Sequence, residues 1–330
     1  MDCSPFLNWR LNLNQSTHEK PVIFLSLVAT VKSRHALDAS LEAKALTFLN
    51  SVYFPDSKSI DAFLSIFARK SDESSTNLVQ SFVVLFSTSN LAIIAVSMKI
   101  LNDLLWYCST NDLLAIIRAD LIPQIIIPLN PLSLSFAKAE DIHRNLMKII
   151  SRSLWLSTPA YLTYLEIEDR NERQTVHETI LRQVLEPTEQ YICHLCANRY
   201  SIIEGRLSKE FKFLLTDILE ISPYYRPTMD IVLNMPVFLT IPSCLPYFEE
   251  DDSIYDFLSA ILDIQLKWNK TSEEDGHRWR SVYRMSRTEG MEDVIEAKLQ
   301  NDKDKYDGGP LVANSIEWSN LHGMNLPEQE

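Results

Sequence analysis

The sequence predicts an all-α protein built as a right-handed α-solenoid, with irregular helices in its C-terminal half. Three observations predict this fold class: glycine is scarce, prolines stand where helices would begin, and apolar residues recur with helical spacing. Only six glycines occur in 330 residues, and the first is Gly205. Tight hairpins and phosphate loops need residues that tolerate positive φ, usually glycine. A glycine-free stretch of this length therefore favours helices joined by polar or proline-containing corners.

Several of the fifteen prolines mark expected helix starts. A proline at the first helical position lacks only an N–H group that would be unpaired there anyway. The prolines placed in this way are Pro21, Pro123, Pro159, Pro187 and Pro227. Two further prolines, Pro128 and Pro131, are expected to force a corner after a short helix.

Apolar residues recur in steps of three and four along most of the chain, as one buried helix face requires. In the helix capped by Asp38 or Ser40, for example, Ala45, Phe48 and Leu49 fall on one stripe. No segment shows sustained period-two alternation, so no sheet is expected. The predicted helices cover residues 22–31, 41–52, 56–70, 78–86, a long helix from 89, then 112–118, 124–129, 135–156, 159–165, 172–185, 187–199, 207–221, 227–233, 237–248, 253–270, 277–286 and 291–300.

The pattern divides the chain into four parts. Residues 1–19 form an N-terminal segment, in which Phe6, Leu7 and Trp9 are expected to dock onto the first helices. Residues 20–157 are predicted to be helical repeats, and residues 158–300 further stacked helices. Residues 301–330 are predicted to be an acidic linker and C-terminal tail.

A repeat is visible in the first half of the chain. Tetrapeptides that end at Asn50, Asn102 and Ser151 read Thr-Phe-Leu-Asn, Lys-Ile-Leu-Asn and Lys-Ile-Ile-Ser, at spacings of 52 and 49 residues. Each lies in a helix that follows a shorter apolar helix. Periods in this range are typical of stacked helical units that cannot bury their apolar faces alone.

The sharpest match to a known family lies in residues 119–129, Ala-Asp-Leu-Ile-Pro-Gln-Ile-Ile-Ile-Pro-Leu. This stretch resembles the armadillo repeat where its first helix turns into its second. Asp120 stands where that family usually has glycine, and short polar residues also tolerate the left-handed conformation. The third helix of such a repeat commonly ends in Ala-Leu-x-Asn, and Asn50 and Asn102 match that asparagine, whereas Ser151 departs from it. The resemblance covers about residues 20–157 and implies an armadillo-like superhelix.

The resemblance also implies candidate partner-binding positions. Importin-α-type armadillo proteins bind extended peptides through a tryptophan four residues before the asparagine of each third helix. Here those positions are Leu46, Met98 and Met147, so binding of nuclear-localisation signals in that style is not supported. The candidates Asn50, Asn102 and Ser151 either contact a partner or satisfy local backbone groups.

The formal net charge of −13 weighs against nucleic acid as a partner, since neutralising phosphates needs clustered Lys and Arg. Residues 246–330 contain nineteen Asp and Glu against nine Lys and Arg, about −10 of the total. This acidic part is either a solvated face and tail or a docking surface for a basic partner. Arg278, Arg280 and Arg284 form a small basic helical face that either pairs with nearby glutamates or binds a phosphopeptide.

Composition also indicates a compartment. Five scattered cysteines do not form a disulfide framework, which favours a reducing compartment. The longest apolar run is far shorter than the roughly 20 residues that span a bilayer. The expected location is therefore cytoplasmic or nuclear, without secretion and without a membrane span.

Motifs for catalysis are missing. Cys193 and Cys196 form a CxxC without a second ligand pair for zinc, and His177 lacks the second histidine of a zincin motif because Leu181 takes that place. We therefore expect no enzyme activity, no cofactor, no metal and no small-molecule substrate, although a triad built from distant positions is not excluded.

Two functions remain in view. The first is a non-catalytic scaffold or adaptor that presents a helical groove to a peptide or helix of a partner protein. The alternative is a regulatory or tethering subunit that binds through its acidic C-terminal part.

Overall fold

The computed structural model describes residues 3–10, 19–34, 37–54, 56–68, 74–157 and 170–220, together with Val237 and Cys244. Within these ranges the regular structure is helical and no strand occurs, which confirms the all-α prediction. The predicted helix at 159–165, those beyond 220, the tail at 301–330 and the candidates Arg278, Arg280 and Arg284 lie outside the described residues.

Thirteen α-helices lie in the described ranges. They are α1 (Ser4–Leu7), α2 (Glu19–Arg34), α3 (Ala39–Ser51), α4 (Ser57–Ala68), α5 (Ser74–Phe86), α6 (Leu91–Tyr107), α7 (Thr110–Arg118), α8 (Leu121–Leu129), α9 (Glu140–Leu154), α10 (Arg170–Ile180), α11 (Glu186–Ala197), α12 (Arg199–Ile203) and α13 (Ser208–Glu220). Short 3₁₀ turns occupy Pro131–Ser133 and Trp155–Ser157, and a π-helical turn occupies Leu181–Leu185.

The chain divides into two compact units. The first comprises Met1–Leu156, Arg182–Thr188 and Gly205–Leu214. The second comprises Ser157–Leu181, Glu189–Glu204 and Leu215–Glu330.

Within the first unit, the helices pack in a regular order. Helix α3 packs against α6 and α6 against α9, while α2 packs against α5 and α5 against α8. We call α3, α6 and α9 the third-helix row, and α2, α5 and α8 the second-helix row. Helices α4 and α7 each pack against α5, and α4 also contacts α2 and α6. Each long helix thus covers the apolar face of the helix three elements along the chain.

Aromatic rings fill the core between α2, α4 and α5. The ring of Phe24 lies 5.3 Å from that of Phe63 and 5.3 Å from that of Phe82, measured between centroids. Phe67 and Phe86 extend this cluster along α4 and α5. All five side chains are buried, and they come from three helices that the sequence separates by up to about sixty residues. The cluster therefore joins α2 to both α4 and α5.

Local capping follows the sequence closely. The Asp38 carboxylate accepts a hydrogen bond from the backbone N–H of Leu41, which confirms Asp38 rather than Ser40 as the N-cap of α3. The Ser109 hydroxyl accepts one from the backbone N–H of Asp112 at the start of α7. Helix α6 begins at Leu91, two residues later than predicted, because Asn90 is its N-cap. The Asn90 side chain accepts from two backbone N–H groups, which a serine hydroxyl does less readily.

The corner between α7 and α8 adopts the conformation expected from its sequence. Asp120 has φ 58° and ψ 36°, in the left-handed region. Helix α8 then starts at Leu121, so Pro123 is its third residue rather than its opening one. Pro128 lies inside α8, and the predicted corner instead forms at Asn130, which has φ 41° and precedes the 3₁₀ turn that Pro131 opens.

Helix α9 is shorter than predicted. The backbone N–H groups of Lys138 and Ala139 both donate to the Ser135 carbonyl, which closes a turn before the helix starts at Glu140. The half-buried Phe136 ring then lies 4.6 Å from the buried His143 ring, tilted by 45°. The apolar pattern alone could not separate this turn from the first turn of a helix.

Pro187 does not separate two helices. Helix α10, the π turn at Leu181–Leu185 and helix α11 run on without a break, so the predicted division at Pro187 is wrong. The wider π turn precedes the proline, where the missing N–H leaves the regular ladder incomplete. The Thr188 hydroxyl donates to the carbonyls of Val184 (2.7 Å) and Leu185 (3.1 Å), which satisfies acceptors of that turn.

The conformation of Asp120 generates a stability prediction. A β-branched residue in the left-handed region costs roughly 1–2 kcal/mol, whereas glycine adopts it freely. Asp120→Val should therefore lower the free energy of unfolding by about 1–2 kcal/mol, and Asp120→Gly should not lower it. Urea denaturation measures both changes. Asn111→Val, on an exposed position of α7, is the control; an equal loss in this variant would contradict the assigned conformation.

Candidate functional site

The third-helix row brings together the candidate positions that the repeat predicted. Asn50 lies near the end of α3, Asn102 in α6 and Ser151 in α9, at matching positions of three helices that pack in chain order. Adjacent members of this set therefore lie on helices that pack against each other. The three side chains differ in their local contacts.

Asn50 is used locally. Its side chain is exposed, and its Nδ2 donates to the Leu46 carbonyl 2.9 Å away in the same helix. This contact fits the interpretation in which the asparagine satisfies a local backbone group. Ser151 is half-buried, and its carbonyl accepts the backbone N–H of Trp155 at the end of α9.

Asn102 differs from Asn50. Its side chain is half-buried, and its Oδ1 is buried without a hydrogen-bond partner among the described residues. A buried amide oxygen left without a donor costs about 1–3 kcal/mol. The unmet acceptor of Asn102 therefore marks the middle of the row as a place where a hydrogen-bond donor would stabilise the protein.

The sequence interpretation missed the aromatic residues of this row. Phe54, Trp106 and Trp155 each stand four residues after a candidate position, and so keep the spacings of 52 and 49. The positions four residues before the candidates, which are Leu46, Met98 and Met147, carry no aromatic residue. Trp106 is 56% exposed, and the next residue, Tyr107, is 58% exposed. The sequence signal that could have identified these aromatics is their spacing of 52 and 49 residues, which equals that of the candidate positions.

Arg152 holds the C-terminal ends of α6 and α9 together. Its guanidinium carbon lies 5.0 Å from the ring centroid of Trp106 and 4.4 Å from that of Trp155. Its Nε donates to the Leu105 carbonyl at 3.1 Å and its Nη2 to the Trp106 carbonyl at 3.4 Å. These carbonyls lie in the last turn of α6, where acceptors lack partners within the helix and the helix dipole favours a cation.

The preceding helix of the row has a similar arrangement. The Lys20 ammonium, from α2, donates to the carbonyl of Ser51 at the end of α3, 3.0 Å away. Both helix ends are therefore capped by a cationic side chain from another helix. Such a cap fixes the position of the residues around it, including the exposed Trp106.

Charges on the row are largely balanced. Glu210 in α13 lies 3.7 Å from Arg144 Nε and 3.5 Å from Lys148 Nζ. Arg144 also pairs with Glu140 and Asp141 on its own helix. Burial raises the pKa of Asp103, and the positive charges of Lys99 and Lys148 oppose that rise. The face therefore offers aromatic and amide groups rather than a strong field of one sign.

The CxxC cysteines lie apart from this face in sequence, on α11. Cys196 is buried and Cys193 half-buried, and Cys244 Sγ lies 4.0 Å from the Cys196 carbonyl. The neighbouring Cys244 thiol and burial both raise the pKa of Cys196. A thiol that resists ionisation is a poor nucleophile and a poor metal ligand. Among the described residues, no three His, Cys, Asp or Glu side chains are grouped to hold a metal ion.

His177, the other residue considered for metal binding, is 2% exposed in α10. Burial lowers its pKa to about 4. The ring is thus neutral at physiological pH and belongs to the interior of the second unit.

The environment of Arg152 predicts a loss of stability when it is removed. Arg152→Ala deletes two charge-assisted hydrogen bonds and two ring contacts, and should lower the free energy of unfolding by about 1–3 kcal/mol. Arg152→Lys should recover only part of this loss, because an ammonium cannot stack and donate in a planar fork. Chemical denaturation followed by tryptophan fluorescence measures the free energy of unfolding of each variant. The exposed Arg118→Ala is the control, and a loss of the same size there would contradict the capping role.

The burial of His177 predicts a pH dependence. The unfolded chain has the ordinary pKa of about 6.5 and the folded chain a value of about 4, so between these values the unfolded state binds more protons. Stability should therefore fall as the pH drops through this window, by at most about 1.4 kcal/mol per pH unit from this group. Denaturant unfolding of the unaltered chain and of His177→Gln over the same range, roughly pH 4.5 to 7.5, compares how the free energy of unfolding of each depends on pH. Parallel curves would contradict the assignment.

No helix in the described ranges is both long and apolar enough to cross a membrane. Comparison with known proteins gives no match to a protein-family model, to a curated protein or to a solved structure. The function is therefore inferred from the residues of the third-helix row themselves.

Proposed function

We propose that this chain is a non-catalytic protein-interaction scaffold or adaptor, whose third-helix row binds an extended peptide or a helix of a partner protein. One observation supports the proposal: α3, α6 and α9 pack in chain order, so that equivalent positions lie on successive packed helices. A repeated surface of this kind suits a ligand that extends across several units.

We further propose that the units are armadillo-like repeats of a right-handed α-solenoid. The ordered packing of the second- and third-helix rows supports this interpretation. The left-handed Asp120 supports it too, because it takes the conformation for which the armadillo pattern uses glycine.

The middle of the row has the chemistry to bind a peptide. The Asn102 amide combines donor and acceptor groups, and its buried Oδ1 has no hydrogen-bond partner among the described residues. We propose that the accessible part of this half-buried amide bonds a backbone group of the peptide. Trp106 and Tyr107 add exposed aromatic surface, and tryptophan and tyrosine are enriched where interfaces gain most of their binding energy.

The proposal predicts that two side chains dominate partner binding. Asn102→Ala/Trp106→Ala should reduce capture of partner proteins at least about tenfold, because a hydrogen bond and an aromatic contact are worth roughly 2 kcal/mol or more together. Quantitative affinity purification with the full chain as bait measures the loss. Removing the unmet acceptor of Asn102 should not lower stability, so circular dichroism should show a folded variant.

The matched control is Asn111→Ala/Tyr200→Ala, which removes an exposed asparagine and an exposed tyrosine outside the row. It should leave capture unchanged. The alternative function, tethering through the acidic part, is tested with a chain of residues 1–245. Loss of every partner on this truncation, together with full capture by Asn102→Ala/Trp106→Ala, would overturn the groove proposal.

A further inference from the structure

Residues 3–10, the described part of the N-terminal segment, pack against α2 and α3 in the manner of a bound peptide. Helix α1 within it has only four residues and packs against α2. Phe6 is fully buried and Trp9 is 6% exposed, which confirms two of the docking residues expected from the sequence, while Leu7 is half-buried. So short a helix is not stable by itself in water. Its structure is therefore maintained by the surface beneath it.

Aromatic contacts anchor the segment. The Phe6 ring lies 6.4 Å from that of Phe48 on α3, and the Trp9 ring lies 5.2 Å from the same ring, both edge to face. The backbone N–H of Trp9 donates to the Phe6 carbonyl at 3.0 Å, in a turn that follows α1. Phe48 is itself fully buried, so the three rings form an aromatic cluster between α3 and the segment.

Two polar contacts orient the backbone of the segment. The N–H group of Phe6 donates to the buried Ser26 hydroxyl on α2 at 2.9 Å. The Lys44 ammonium on α3 donates to the Leu7 carbonyl at 2.6 Å and also lies 5.6 Å from the Phe6 ring centroid. Both bonds go to backbone groups near the ends of the turn, which helix α1 cannot satisfy internally. Together with the aromatic cluster, they specify a short helical ligand of the form Phe-x-x-Trp.

We propose that this surface, which we call the α2–α3 site, is a peptide-binding site occupied by the chain's own segment, and that the Phe-x-x-Trp segment of a second copy can take its place. Each copy carries both the ligand and the site, so an exchanged pair would repeat every contact described above in both directions. Exchange of an identical element needs no new complementary surface, and this argues for a second copy over an unrelated partner. The α2–α3 site uses Ser26, Lys44 and Phe48, and so is separate from Asn102 and Trp106.

Attachment in one chain sets the condition for exchange. A tethered segment competes with an effective concentration of about millimolar. Binding of a second copy is therefore weak while the chain's own segment is seated, and strong once that segment is removed from the site. The segment thus acts as a built-in competitor that limits self-association.

A peptide experiment tests the site. The probe is a fluorescein-labelled peptide with the sequence of residues 1–10, titrated into full-length chains and followed by fluorescence anisotropy. The Phe6→Ala/Trp9→Ala chain, whose own segment lacks its anchors, should bind at least about tenfold more tightly than the unaltered chain, whose site is filled. The same peptide with both aromatics replaced by alanine should not bind. Equal binding of the probe to both chains, or none to either, would overturn the proposal.

A mixing experiment tests the second copy as the source of the ligand. One partner is the Phe6→Ala/Trp9→Ala chain, which keeps an intact site. The other is Ser26→Ala/Lys44→Glu, which keeps an intact segment but loses both polar contacts of the site. Light scattering should show a heterodimer in the mixture and monomers in each separate sample. Probe binding without a heterodimer would overturn the exchange between copies.

A third arm removes the dependence on altered anchors, in case Phe6→Ala/Trp9→Ala fails to fold by circular dichroism. A protease site placed within residues 11–18 of the otherwise unaltered chain is cut after folding. Excess labelled peptide should then replace the cut segment, and native mass spectrometry would show the mass change. A cut segment that dissociates without being replaced, or that stays bound against a large excess of probe, would contradict the proposal.

Discussion

Burial of the apolar faces of α6 is the constraint on which the rest of the first unit depends. This helix packs against α3, α4, α5 and α9, and its Met98, Leu101, Leu104 and Leu105 are fully buried. Truncating such a side chain to alanine typically costs 2–5 kcal/mol. Because α6 is covered from several sides, its neighbours are held in order, and the second- and third-helix rows follow from that order.

Helix ends impose a second constraint, and the residues that meet it also shape the proposed binding face. The last carbonyls of α3 and α6 lack partners within their own helices, and Lys20 and Arg152 supply donors from other helices. Arg152 lies between two tryptophan rings while it caps α6, so the exposed Trp106 is fixed by the same contact. A group needed for stability thus positions a group that we propose for binding. Asn102, by contrast, keeps a buried oxygen without a partner among the described residues, so this oxygen adds no stabilising hydrogen bond.

Two proposed surfaces share the first unit without sharing residues. The α2–α3 site already contains a ligand, and its chemistry is defined by Phe48, Ser26 and Lys44. The third-helix row is defined by amide and aromatic groups with balanced charge. The first surface is proposed to govern association of the chain with itself, and the second association with other proteins. A change in either surface is therefore expected to leave the other intact.

The sequence by itself determined the helical class, limited the N-cap of α3 to Asp38 or Ser40, allowed a left-handed Asp120 and predicted the docking of Phe6 and Trp9. These features depend on local backbone chemistry, or on large apolar side chains that water disfavours wherever they lie. It also located the candidate positions of the repeat, but not the aromatics that stand four residues after them. Only the tertiary structure decided the late start of α9, the continuity of helix through Pro187, the stacking of Arg152 and the unmet acceptor of Asn102. The physical reason is that these depend on competing hydrogen-bond partners, and for Arg152 those partners lie 46 and 47 residues away along the chain.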